Sequence, residues 1–512
     1  MIIIHFLLNN LLHIWHHFFD KRISSSISEI HPSNNELQLL VGYDSESKSG
    51  IYIPESGLYQ NFLITGTIGS GKTSSAMYPF SEQFIQFNST SIHHKMAMLI
   101  LDVKGNYSSQ IKEFCQKYNV MSDMIVIELN SHIHYNPLHK PNLKPQVLAN
   151  RLKTILLLFS ENNSESYWLD KAEQILTECI KLCRFYNHGY VTFIELHKLI
   201  TIPNYYKEKL PLLKNLFIHS QFTSDEIYEL NSCLDFFQKE FENLDQRTKA
   251  ILVSEITRIT NTFVSDYDVM SCFCSPKEQL TFTGFEEVLK EGKIVVLNMN
   301  ISEYSILSKI IATYLKLDFQ SEVLSNLSKN TIYPSCFICD EYDKYVSKTD
   351  AEFFSLSREA KCINIVSTQS YSSLKNTLKD DSFVKVIIQN LINKIWFRTD
   401  DIFTIEEAQK QLGKEEKIRT SKSFSENAKE TTFSYITNTL NSENSNISES
   451  ISTYIQNDYI YESNFFTQEL ETFSALCFLS DGHKIYPPCK LQMIPYFKNR
   501  KEFFNEKRKN KH

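Results

Sequence analysis

The chain has 512 residues, of which 42% are hydrophobic and 22% charged, an ordinary balance for a folded protein with apolar material for a sizeable core. That length corresponds to about two to four domains. A net charge of −7 and a pI near 6.1 exclude a uniformly basic nucleic-acid binder, but leave open DNA contact through a few loops, where only the local field matters.

The 11 cysteines are odd in number and scattered. Cys336 and Cys339 form a CxxC, but inside the apolar run SCFICD and without a second ligand pair, so buried, reduced thiols are expected rather than zinc ligands. That usage points to a cytosolic compartment.

Residues 2–19 lack Asp, Glu, Lys and Arg, and His5, Asn9, His13, His16 and Asp20 share one helical face. With Trp15 and then Lys21 and Arg22 at its end, residues 1–22 read as an amphipathic helix for a membrane surface or a partner's groove. Packing on its own domain and spanning the bilayer stay open as alternatives. A cleaved signal peptide is disfavoured, because neither a basic n-region nor a small-residue cleavage site is present. Residues 23–36 form a polar linker, and 37–60 a short β-meander.

The next stretch, NFLITGTIGSGKTSSAMY at 61–78, holds three of the chain's 12 glycines in six residues. It is a complete G-x-x-x-x-G-K-[ST] phosphate loop between a strand and a helix. Glycines let backbone N–H groups turn inward around phosphate oxygens, and the helix N-terminus adds positive potential. Gly66, Thr67, Gly69, Ser70, Gly71, Lys72, Thr73 and Ser74 are the expected nucleotide contacts. Lys72 would reach the β- and γ-phosphates of ATP, and the Thr73 hydroxyl would hold Mg²⁺.

Lys95–Asp102 is an apolar run ending in an acid, as a buried parallel strand would be, and Met124–Leu129 is a second strand before Tyr135-Asn136-Pro137-Leu138. From 143 to 270 the period is helical: Val147, Leu148, Leu152, Ile155, Leu156 and Phe159 form one stripe, and Trp168, Ala172, Ile175, Leu176, Cys179 and Cys183 another. This predicts an all-α domain inserted into an α/β domain. Strands resume at 293–299, 335–340, 363–368 and 392–398, so the sheet should be mainly parallel. The polar segment 420–460 reads as a mobile loop or a poorly packed excursion. Residues 466–495 suggest a helical turn and a hairpin with Gly482 at its tip. The tail 498–512 has seven Lys/Arg against two Glu and suits either solvent or contact with DNA or anionic lipid.

A second constellation follows the strand ending at Cys339. Asp340 and Glu341 match the Walker B pattern, with Asp340 expected in the Mg²⁺ shell and Glu341 beside the attacking water. Gln369, after the next strand, would face the γ-phosphate. Arg358 is either an arginine finger for a neighbouring subunit or a surface arginine.

Taken together, LITGTIGSGKTSS, LILDVKGN, YNPL, SYWLDKAEQILTECI, GKIVVLNM, CFICDEYDKYVS, FFSLSREAKCINIVSTQSYSSL and NKIWFRTDD with its following QLGK resemble the type IV coupling proteins. These are conjugative ATPases of the FtsK/HerA branch of RecA-like P-loop motors. The resemblance spans roughly 60–490. It implies a RecA-like nucleotide-binding domain over 37–142 and 271–497, with 143–270 inserted. It also implies a homo-hexamer that uses ATP and Mg²⁺ to drive single- or double-stranded DNA. The relaxase or relaxosome and type IV secretion channel components are the implied partners. Lys72, Thr73, Asp340, Glu341, Arg358 and Gln369 fall at the family's nucleotide-site positions. The family's usual N-terminal transmembrane pair is missing, so a position at the inner face of the cell membrane would rest on residues 2–19 or on a membrane partner subunit. Two other functions remain open: an ATP-binding recruitment adaptor for secreted proteins, and an FtsK/HerA-like DNA motor without a secretion role. An intact Glu341 and Gln369 favour the motor over the adaptor.

Overall fold

A computed structural model describes residues 36–90, 95–159, 166–219, 222–299, 301–328, 333–427, 432–434, 439–441 and 446–509. The expected N-terminal helix within 1–22 lies outside the described residues.

The centre is an eleven-stranded sheet. In chain order its strands are β1 (Gln38–Asp44), β2 (Gly50–Pro54), β3 (Phe62–Thr65), β4 (Ala97–Leu101), β5 (Met124–Ile127), β6 (Ile294–Leu297), β7 (Ser335–Cys339), β8 (Cys362–Thr368) and β9 (Asn393–Trp396). A separate ribbon of β10 (Lys414–Asn427) and β13 (Asn446–Tyr459), enclosing the small hairpin β11 (Thr432–Ser434) and β12 (Thr439–Asn441), comes next. The last two sheet strands are β14 (Ser474–Phe478) and β15 (Cys489–Gln492). The spatial order is β2-β1-β15-β14-β9-β3-β8-β7-β4-β6-β5.

Every pairing from β9 through β5 is parallel, and every pairing from β2 through β9 is antiparallel. The α/β class with a mainly parallel sheet is therefore as expected. The continuous apolar strands follow from burial on both faces. In β4, Ala97, Leu99 and Leu101 join one core and Met98 and Ile100 the other. The first core is shared with the long helical run, the second with the helices Tyr78–Thr90 and Tyr107–Lys117.

The helical run lies between β5 and β6, which pair directly, Met124 opposite Ile294. It includes Pro145–Leu157, Ser166–Tyr186, Phe193–Thr201, Tyr205–His219, Ser224–Asp235, Gln246–Val264 and Tyr267–Phe273. Side chains set several starts. Thr192 accepts from the Glu195 N–H, Asp245 from those of Arg247 and Thr248, and Thr223 forms a reciprocal capping box with Glu226. Of the first predicted stripe, Val147 is 40% exposed and outside the core, whereas its neighbour Leu148 is fully buried. The 135–138 segment fastens the entrance. The Tyr135 N–H donates to Cys272, the Asn136 amide to Val191, and the Tyr314 hydroxyl to Pro137.

Two segments are more regular than their composition suggests. Where it is described, the segment 420–460 is a ribbon in which β10 and β13 pair in antiparallel register from Lys414–Tyr459 to Asn427–Asn446, with side chains mostly exposed, so it is a poorly packed excursion built of strands. A two-stranded ribbon open on both faces needs no core, so its composition is that of a loop. Ile418 stands opposite Ile455, an apolar cross-strand pair. The basic tail is also folded: Arg500–Lys509 is a helix with Phe503 buried and Phe504 edge-on to Tyr43. All 11 cysteines are free, and all but Cys489 are buried.

Candidate functional site

Three strand ends assemble the site. β3 runs into the phosphate loop, and β7, which ends at Cys339 just before Asp340, stands two places away with β8 between them. In a parallel sheet the carboxyl ends of all three strands open on one edge. Gly69 and Gly71, at φ +77° and +100°, take the left-handed conformations that turn the loop back on itself. A Cβ on Gly71 would stand 2.5 Å from the Phe473 ring, so the position demands glycine twice over. The loop is anchored from outside and braced within: the Thr67 N–H donates to the Arg398 carbonyl at 2.8 Å, and the Ser70 hydroxyl to the Thr67 carbonyl at 2.8 Å. The helix then opens with a π turn, Thr73–Met77.

The Thr73 hydroxyl donates to Asp340 Oδ2 at 2.7 Å. Two oxygens from distant segments thus meet at one point, as a shared divalent cation would require. The other Asp340 oxygen accepts from Ser367 on β8 and, at 3.1 Å, from the Glu341 N–H. Glu341 has φ +50°, a left-handed conformation costly for a residue with a Cβ and characteristic of functional sites. Its carboxylate pairs with Lys104 at 2.9 Å. Lys72 is buried and donates through Nζ to the carbonyls of Gly66 and Thr67. Burial lowers its pKa against the pull of Asp340, and the nearby Lys104 lowers it further. Burial opposes the charge on Lys104 too, but the Glu341 hydrogen bond and the surrounding carboxylates outweigh it and hold Lys104 above its ordinary value. Burial raises Asp102, at the end of β4.

A cavity of about 420 Å³ joins these groups. Of the residues expected from sequence, Thr67, Gly69, Gly71, Lys72, Thr73, Ser74, Asp340, Glu341 and Gln369 line it; Gly66 and Ser70 support the loop from beneath. Arg358 is elsewhere. It precedes β8 whereas Gln369 follows it, so it sits at the opposite edge of the sheet, exposed, within reach of the Gly482 carbonyl at 3.4 Å.

Sequence reasoning did not single out Lys104, Asn106, Ser367, Tyr78, Tyr496 or Phe497. Lys104 and Asn106 were legible in principle, because LILDVKGN is a buried strand ending in polar residues, and β4 lies beside β7. Tyr496 and Phe497 carry no local signal, since they reach the site only through the fold of the C-terminal segment.

Residues 334–455, from just before β7 to near the end of the ribbon, match the family model described as the TraM recognition site of TraD and TraG. No curated protein matches the chain by sequence. Among solved structures, the bacterial conjugative coupling protein TrwBdeltaN70 in its unbound monoclinic form superposes with a TM-score of 0.62 at 12% identity, covering 94% of this chain and 92% of that one. TrwB in complex with ADP and Mg²⁺ gives 0.58 at 12% identity, covering 90% and 91%. VirB4 of Thermoanaerobacter pseudethanolicus gives 0.50 at 12% identity, covering 91% and 98%. The matched segment, together with a fold shared with a conjugative coupling protein over nearly its whole length, bears out the resemblance of this chain to the type IV coupling proteins.

Proposed function

We propose that the chain is an ATP-driven coupling motor that links a DNA–protein substrate to a type IV secretion channel during conjugative transfer. The carrying observation is the convergence of Thr73 and Asp340 at 2.7 Å beside Lys72 and Glu341, in one cavity at the carboxyl edge of a parallel sheet. TrwB, whose fold this chain shares, binds ADP with Mg²⁺, and the matched TraM recognition site supports a relaxosome protein as partner. DNA, the secretion channel, a homo-hexameric ring and a place at the inner face of the membrane belong to the same proposal. So does the division into a nucleotide-binding domain over 37–142 and 271–497 and an all-α domain over 143–270. Among the described residues no helix is long and apolar enough to cross a membrane.

The donor set fits Mg²⁺: one hydroxyl, one carboxylate, and room for water and phosphate oxygens. Thr73 and Asp340 would hold the ion, which when bound neutralises charge on the β- and γ-phosphates. Lys72 sheds its contacts to the loop carbonyls and places its charge on the same phosphates. Glu341 orients the attacking water and takes its proton, and Gln369 faces the γ-phosphate from the end of β8.

Arg358, on the opposite edge, is out of reach of its own site and suits a neighbour's, where a planar fork of donors stabilises transition-state charge. Fingers supplied in trans contribute on the order of 10³–10⁵ in rate. Mixing tests the whole reading. Lys72→Ala and Arg358→Ala should each be inactive alone, while mixed rings regain DNA-stimulated ATPase activity at interfaces that join an intact site to an intact finger. Wild-type turnover by Lys72→Ala would refute the site. Co-assembly without recovered activity would refute the trans arginine, once titration of either mutant into wild type shows a linear loss and so independent sites.

A further inference from the structure

The cavity also has an apolar wall. Tyr496 and Phe497 line it, 41% and 56% exposed, large apolar surface left uncovered beside a polar loop. These rings are not a loose surface patch. The Tyr496 N–H donates to the Ser74 carbonyl at 2.9 Å, which ties the segment to the helix that follows the phosphate loop. The Tyr496 ring meets Tyr78 edge-on at 5.2 Å, and Tyr78 meets buried Tyr107 at 4.7 Å. Phe497 stands 6.4 Å from Phe473, the ring that fills the space a Gly71 side chain would need, and the Phe473 N–H donates to the Ser70 carbonyl. Phe503, buried on the C-terminal helix, backs Phe473 at 6.3 Å. Two backbone hydrogen bonds and a chain of ring contacts therefore hold an exposed aromatic surface at a set position relative to the phosphate loop.

We propose that Phe497 and Tyr496 form the base-binding wall of the nucleotide site, against which the heterocyclic base of a nucleoside triphosphate stacks. The inference rests on reading this cavity as the nucleotide site and adds which residues hold the base. A flat apolar ring attracts a base through its π-face, without hydrogen-bond readout of the base edge. The phosphate loop and Lys72 take the phosphates. Base and phosphates thus depend on different segments of the chain, one C-terminal and one near residue 70, and their contributions are separable.

The experiment uses the full chain with Mg²⁺ and two probes, ATP and inorganic tripolyphosphate, each measured by competition against a ribose-labelled fluorescent ATP. Phe497→Ala should weaken ATP by roughly 5- to 150-fold, the range for one lost base–aromatic stack, and leave tripolyphosphate unchanged. Phe497→Trp should restore ATP binding. Lys72→Ala should weaken both probes. An unchanged ATP affinity in Phe497→Ala overturns the proposal. So does a parallel loss of ATP and tripolyphosphate, which would make Phe497 a support of the loop, and so does a failure of tryptophan to restore binding. A wild-type chain that binds neither probe would instead defeat the nucleotide reading itself.

Discussion

The molecule holds charged groups in two contrasting ways. Beneath the helical run, Asp318 is fully buried and pairs with Lys140 at 2.6 Å and Arg151 at 2.8 Å, with the Tyr135 hydroxyl at 3.3 Å. Nearby, Asp350 is fully buried against Lys316 at 2.6 Å and also accepts from Tyr342, Ser347 and Gln320. Both clusters are closed, every carboxylate oxygen being matched by donors. The cluster at the phosphate loop is open. Lys104 is 55% exposed, Glu341 lines the cavity in a costly backbone conformation, and Lys72 donates to carbonyls of its own loop. Closed clusters hold a fold in place, because removing one member strands a buried charge. An open cluster keeps its charges available to a ligand, and that distinction marks the site more reliably than burial or pKa alone.

The sharpest way to break the comparison is to neutralise one member of each cluster. Glu341→Gln should lower ATP turnover by about 10²–10⁴, the usual contribution of a positioned base, with ATP binding and thermal stability retained. Loss of binding in a folded variant would show that Glu341 has another task. Asp318→Asn keeps the volume but leaves Lys140 and Arg151 without their counter-charge, and should cost about 3–5 kcal/mol in chemical denaturation. Burial works against ionised Asp318, but the two cations prevail and hold its pKa below the ordinary value. Its stabilisation is therefore present above the unfolded value of 3.8 and is lost as pH falls through the lower folded one. The wild-type-minus-mutant difference should collapse only in that acid range. The folded fraction of Asp318→Asn should bind ATP as wild type does.

How much was legible beforehand divides along the same line. The open cluster announces itself locally: Gly66 to Thr73 is contiguous, and Asp340-Glu341 closes an apolar strand. The parallel strands were legible too, because two-sided burial writes uninterrupted apolar runs. The closed clusters were silent, since Lys140, Arg151, Asp318, Lys316 and Asp350 look like ordinary surface charges until helix Ile301–Ser325 carries two of them into the interior. The strand pairing of β10 with β13 was not legible, because pairing without a core needs no apolar alternation. The aromatic wall was invisible because Tyr496 and Phe497 meet Ser74 and Phe473 across long stretches of chain.

Lys104 offers the finest test, because its pairing with Glu341 could in principle belong to either type of cluster. If it is structural, Lys104→Met should destabilise the fold by the several kcal/mol of a stranded buried charge. If it belongs to the open cluster, the loss should stay under about 1 kcal/mol, as for exposed ion pairs, because solvent screens a lysine more than half exposed. The open reading is expected. Burial works against the charge on Lys104, but Glu341 prevails and holds its pKa above the ordinary 10.5, so the contribution is complete below that pH and fades as pH rises through the higher folded value. A wild-type-minus-mutant stability difference followed from pH 7 upward should thus be small and level, then vanish in strong alkali. Turnover should respond differently from stability. Without Lys104, the Glu341 carboxylate loses the partner that holds it in place, so Lys104→Met should change kcat severalfold while ATP affinity, set by the loop and Lys72, holds. A stability loss above about 2 kcal/mol with unchanged kcat would place Lys104 with Lys140 and Lys316 among the buried, closed pairs.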